Sequence, residues 1–253
     1  MHRGIIIPHK SLRHSIFHWN GLLAGTAVAA CLDIFLFAKG ESLLAFHSRV
    51  TEFFLLVAEV PWEAGRTATI LPGVDVGLLR TGFLQYEPDS IYPWFSFAIT
   101  CAIALVGYYR WPALVRPLLF LVPFSLGTSI LYSQLVSVNG PYTAEYFGAL
   151  WYHGETYLWL LLPWILAIGI FPLCVPWTLK FGSLALLLAY SFLWSCIRLA
   201  TALATFYYLG SLWMPLFYFL FGFFADFLYI IALYSVTADR AAVWMRSRSE
   251  VWE

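Results

Sequence analysis

Six stretches of this chain are each apolar for about twenty residues, the length at which a helix crosses a hydrocarbon layer about 30 Å thick. They run from Asn20 to Phe37, Ile91 to Tyr109, Pro112 to Val136, Thr156 to Trp177, Phe181 to Leu209 and Ser211 to Val236. In hydrocarbon the backbone must satisfy its own hydrogen bonds, so such runs read as α-helices. Composition agrees, since 61% of the residues are hydrophobic and 11% are charged, against about 25% charged in a soluble domain. The expectation is an all-α fold: a polytopic membrane helical bundle of about six transmembrane helices whose first partner is the lipid bilayer. A formal net charge of zero speaks against nucleic acid as a partner.

The basic residues orient the bundle, because Lys and Arg near short loops stay on the cytoplasmic side. Arg3, Lys10 and Arg13 precede the first span, Arg110 and Arg116 flank the turn between the second and third, Lys180 lies between the fourth and fifth, and Arg240, Arg246 and Arg248 follow the sixth. With six spans all four clusters fall on one side. The opposite side receives the Asn139–Glu155 segment, which has no Lys or Arg, and the net acidic connection from Lys39 to Ser90. Segment 1–19 is thus a cytoplasmic basic segment, 20–38 an uncleaved anchor, 91–236 the remaining spans, and 237–253 a cytoplasmic tail. The expected location is a bacterial inner (cytoplasmic) membrane.

In the outer connection, 39–90, Leu43, Leu44, Phe46, Val50, Phe53, Phe54 and Val57 recur at helical spacing between charged residues, as in an amphipathic helix lying in the interface. A re-entrant segment is the alternative. From Pro61 to Ser90 the chain carries Pro61, Gly65, Pro72, Gly73, Gly77, Gly82 and Pro88, which break regular structure and predict an irregular cap of turns and short strands.

Arg198 lies deep within the fifth apolar run and Asp226 deep within the sixth. A charge at the bilayer centre costs about 2.5–3.5 kcal/mol on insertion scales and persists where it is paired, wetted or needed. Counted from the outer ends at about 1.5 Å per residue, Arg198 lies about 16 Å deep and Asp226 about 22 Å. They read as an intramembrane ion pair, or Arg198 as an anion-binding or catalytic group. The run Ala149-Leu-Trp-Tyr-His153-Gly-Glu155 enters the fourth span from outside. It offers either a general base or an interfacial His beside a Glu favoured by the helix dipole. Asp33 sits near an interface.

Other chemistry finds no pattern. Cys31, Cys101, Cys174 and Cys196 lie in apolar runs without CxxC spacing and read as small apolar helix residues. His14 and His18 share a helix face with basic neighbours, so neither metal nor haem is expected, and no GxSxG, HExxH or P-loop occurs. No cofactor is expected. Gly21, Gly25, Gly127 and Ala200, Thr201, Ala202 and Ala204 suit close helix contacts.

Ser195-Cys-Ile-Arg198, followed by Phe206-Tyr-Tyr-Leu-Gly210, is similar to the arginine helix of the exosortases and archaeosortases, membrane cysteine transpeptidases. His153-Gly-Glu155 stands about where that family has Cys-Ser-Gly, and Tyr218 where it has a His or Arg on its last helix. The resemblance implies a helical membrane fold with an outward-facing pocket and a role for Arg198, while the cysteine nucleophile is absent. Two functions follow as expectations. One is a non-enzymatic integral subunit that scaffolds or docks other membrane proteins in an envelope complex. The other is an exosortase-like enzyme using His153, Glu155, Arg198 and Tyr218 on a peptide tail or a lipid-linked anion.

Overall fold

The computed structural model describes residues 19–82, 91–113, 116–136 and 143–246. The basic N-terminal segment with His14 and His18, the last part of the outer segment and the C-terminal tail lie outside the described residues. Helix α1 (Trp19–Val57) leads into an antiparallel hairpin of β1 (Trp62–Leu71) and β2 (Val74–Thr81). Helices α2 (Tyr92–Arg110), α3 (Arg116–Val136), α4 (Ala144–Gly169) and α5 (Trp177–Leu209) follow. A composite α6 (Ser211–Met245) completes the order. It opens with a 3-10 turn and one α turn, widens into a π-helical stretch at Phe217–Phe224, and continues as α-helix from Ala225.

Among the described residues four helices, α1, α2, α5 and α6, are long and apolar enough to cross a membrane. Helix α3 is apolar over the shorter stretch Leu119–Tyr132, and α4 carries Glu145, His153 and Glu155 in its first half. The described residues are therefore mostly helical, with four candidate membrane-crossing helices where six spans were expected.

Residues 39–57, expected as a separate interfacial helix, continue α1 without a break. The helix is 39 residues long, about 58 Å at about 1.5 Å per residue and nearly twice a hydrocarbon core. No proline interrupts it. Gly40, its weakest helix former in this half, marks the point where the hairpin comes closest: a Cβ there would stand 3.0 Å from Val74 Cγ1. The stripe Leu44, His47, Ser48, Thr51 and Leu55 is buried and faces α4 and α5. Half-polar, it is invisible to a search for an apolar face.

The end of α1 is closed by its backbone. Val60 N–H donates to Leu55 O at 3.0 Å, and Glu59 N–H to Leu56 O at 3.1 Å, while Glu59 has φ 56°. This is the left-handed helix stop that normally carries glycine. A side chain there costs about 1–2 kcal/mol, part of which returns as lower unfolded-state entropy. Glu59→Gly is expected to raise stability by about 0.5–1 kcal/mol and Glu59→Val to lower it, read as a Tm series in detergent.

Where a cap of turns and short strands was expected, the structure has a two-stranded hairpin with strands of 10 and 8 residues. Pro72-Gly73 makes the turn, with Gly73 at φ 78°, the Pro-Gly pattern of a type II turn. Val74, Val76 and Leu78 alternate inward against α1 and α4. Register shifts between Ala64 and Thr67 and between Thr69 and Leu71 break the alternation of β1, so that strand has no period of two to read. The main core lies where this hairpin meets α1, α4, α5 and α6. Helices α2 and α3 pair with each other and meet the rest at the start of α6, where Leu126 and Ile130 pack on Leu212.

Candidate functional site

Arg198, on α5, is 2% exposed and is fully engaged at the ends of its fork. Nη2 donates to Glu155 Oε1 of α4 at 2.7 Å and to Asp226 Oδ1 of α6 at 2.5 Å. Nη1 donates to the Phe221 carbonyl and to Gly222 O, the latter at 3.1 Å. Trp151 lies under the guanidinium, with its ring centroid 5.1 Å from Cζ. One side chain thus ties three helices together.

The Phe221 carbonyl is available because of the π-helical stretch. In an α-helix the Ala225 N–H would take the Phe221 carbonyl. Here it donates to Leu220 O and Gly222 O, and Phe221 O is left for the arginine. Such widened turns tend to occur where a helix does something other than pack.

A polar net extends from this cluster toward α1. Trp151 Nε1 donates to Ser195 Oγ at 3.2 Å, and Ser195 Oγ is 3.1 Å from His47 Nε2. His47 is enclosed by the rings of Tyr152, Trp159 and Phe192. One turn along α5, Ser191 Oγ accepts from Trp159 Nε1 at 3.1 Å and from Tyr229 OH at 2.8 Å. Ser48 and Tyr152 share a further bond of 2.8 Å. Each of these bonds joins two helices, which gives direction to packing that apolar contact in lipid leaves loosely specified.

Between α4 and α6 runs a cavity of about 730 Å³, its walls made by Leu158, Leu161, Ile165, Phe227 and Ile231 among others. Glu155, Asp226 and Tyr218 all line it. His153 does not: it is turned back along its own helix, where Nδ1–H donates to Ala149 O at 2.8 Å. The four residues singled out as catalytic candidates therefore divide. Glu155 joins Arg198 and Asp226, Tyr218 stands on the wall of the same cavity, and His153 lies apart. Asp33 is also tied down, its Oδ2 accepting from Trp164 Nε1 at 2.8 Å.

The chemistry open to the cluster is limited by its charge and saturation. Two carboxylates face one guanidinium, so the ionised cluster carries one negative charge in excess, and both terminal nitrogens of Arg198 are occupied by the chain itself. An incoming anion would have to displace those partners. The Ser195–His47 contact resembles a nucleophile with its base, but both residues are 0% exposed and neither lines the cavity. Among the described residues no cluster of three metal-ligating side chains occurs.

Sequence reasoning missed His47, Ser191, Ser195 and Trp151 as parts of one net. The signal was present in part: Ser191, Ser195 and Arg198 fall at i, i+4 and i+7 and so share one face of an apolar helix. No protein-family model, no curated protein and no solved structure matches the chain, so its resemblance to the exosortases rests on the quoted residues.

Proposed function

We propose that this chain is a non-enzymatic integral subunit of a complex in a bacterial inner membrane, crossing it six times with both termini in the cytoplasm, and that it scaffolds or docks other membrane proteins. The observation that carries this reading is the engagement of Arg198: both terminal nitrogens of this buried guanidinium are taken up in holding α4, α5 and α6 together. Depth supports a structural use as well. Arg198 lies about 27 Å along α5 from Lys180 at about 1.5 Å per residue, close to one full hydrocarbon thickness. The far end of α5 packs on the outer elements, with Tyr208 OH donating to Ala58 O at 3.0 Å. The cluster then sits at the outer boundary of the membrane, where the charges cost less than at its centre.

Surfaces suited to partners lie away from the cluster. Helix α2 exposes Trp94, Phe95, Ile99, Ile103, Leu105 and Val106, a face that serves lipid or another helix. The hairpin presents Arg66 and Arg80 beside Glu145 around a polar cavity of about 350 Å³. Mass spectrometry of the tagged protein purified from its native membrane in mild detergent tests the proposal. Other membrane proteins in fixed ratio are the expected result, and recovery as a lone monomer overturns it.

The enzymatic reading keeps one favourable observation, the convergence of Glu155, Asp226 and Tyr218 on one cavity. Its critical variant is Tyr218→Phe, because Tyr218 makes no bond to the ion cluster. Loss of processing of a peptide tail in cells, at unchanged protein level, would decide for the enzyme; unchanged processing decides against it.

A further inference from the structure

We infer that the α4–α6 cavity is a binding site for an aliphatic amphiphile whose head is a free ammonium. The argument starts from a carboxylate that the chain leaves half satisfied. Glu155 is 4% exposed, one of its oxygens accepts from Arg198, and the other, Oε2, is buried without a partner. A buried acceptor left unmade costs about 1–3 kcal/mol, more for a charged group. Glu155 stands on the cavity wall beside Asp226, so a ligand in the cavity is placed to supply the missing donor.

Charge selects the kind of donor. With both carboxylates ionised, the cluster of Arg198, Glu155 and Asp226 carries one negative charge in excess, and among the described residues the other buried cation, Lys180, is elsewhere, bonded to Phe171 O. A monovalent cation balances the site, a neutral donor fills only the hydrogen bond, and an anion adds to the excess. An ammonium brings three N–H donors, enough to reach both carboxylates. A phosphate next to the amine would bring the wrong charge to the same place, so the head is a free amine.

The remaining wall selects the tail. Leu158, Leu161, Ile165, Phe227, Ile230 and Ile231 surround the carboxylates, and the volume of about 730 Å³ falls within the about 300–1,000 Å³ usual for ligand sites, which combine an apolar lining with few polar groups. The head binds at the level of Glu155 and the chain runs along the α4–α6 seam. This site is independent of whether the protein works as a subunit.

The test uses the full chain in phosphatidylcholine nanodiscs with three probes of equal chain length, dodecylamine, dodecanol and dodecanoate. Binding is read by native mass spectrometry as a one-to-one adduct and by the shift in Tm. Dodecylamine is expected to bind at least about 10-fold tighter than dodecanol, with dodecanoate weakest, a difference of about 1.4 kcal/mol. Glu155→Gln is expected to bring the amine down to the alcohol. Ile231→Trp, which leaves the ion cluster untouched and fills the cavity, is expected to abolish binding of all three. Equal affinity for amine and alcohol overturns the inference, as does absence of any adduct, or retention of amine binding in the folded Ile231→Trp protein. Co-purification of partners has no bearing on these outcomes.

Discussion

Arg198→Met is expected to cost about 3–5 kcal/mol of stability, the penalty for breaking a buried ion pair by removing one member. The substitution leaves Glu155 and Asp226, 4% and 9% exposed, facing each other without a cation, and leaves the Phe221 carbonyl without the arginine that bonds it. The expected readout is a large fall in abundance and in Tm. Arg198→Lys is expected to fall between, since a single ammonium keeps the charge but cannot present the fork that reaches Glu155, Asp226 and two carbonyls at once. The informative partner is the triple variant Arg198→Met, Glu155→Leu, Asp226→Leu. Replacing a whole buried ionic group with apolar residues of similar volume is often neutral or stabilising by about 1–4 kcal/mol, so the triple variant is expected to return to wild-type Tm or above. If the single variant is as stable as wild type, the cluster does not hold the helices together. A folded triple variant that still lost partners would assign the cluster a role in docking, and one that kept them a role in stability alone.

Much of the bundle was legible because lipid makes sequence simple. Runs of about twenty apolar residues have one stable answer in hydrocarbon, and a single Arg or Asp within such a run stands out. Residues whose role depends on a distant neighbour were not legible. His47 pairs with a residue 148 positions away, and the bond between Trp164 and Asp33 spans 131 positions; no local period encodes either. The continuity of α1 past Lys39 escaped notice because charge at that point marks the edge of a membrane, while a helix supported by α4 and the hairpin has no reason to stop there. The structure joins Asp226 to Arg198 and brings Glu155 to the same guanidinium, a third partner that no spacing along the chain announces. Gly21 and Gly25 were readable as sites of close approach, and the surface they approach is within the chain.

Gly21→Ala is expected to lower stability by about 3 kcal/mol or more, beyond the usual about 1–3 kcal/mol of overpacking, because what it meets is backbone. A Cβ at Gly21 would overlap the Phe171 carbonyl oxygen and stand 3.3 Å from Lys180 Nζ. The same oxygen accepts from that ammonium at 2.6 Å, and Lys180 is 4% exposed, its charge otherwise resting on the Trp177 ring at 4.6 Å. Moving the turn after α4 to admit a methyl group therefore also strands a buried cation. Gly25→Ala meets Phe171 Cβ at 2.7 Å and the Ala167 Cα at 3.1 Å, atoms set by the backbone, so a loss is expected there too, but without a stranded cation. Gly182→Ala has nothing within 4 Å and should gain up to about 1 kcal/mol from helix propensity. The coupling can be measured directly: if the loss at Gly21 runs through Lys180, then Lys180→Met adds little in the Gly21→Ala background and much in the wild type, a non-additivity of about 0.5–3 kcal/mol for residues in contact. Additive losses would mean that α1 recoils from the turn without disturbing the lysine, and that the ammonium and the glycine secure this end of the bundle separately.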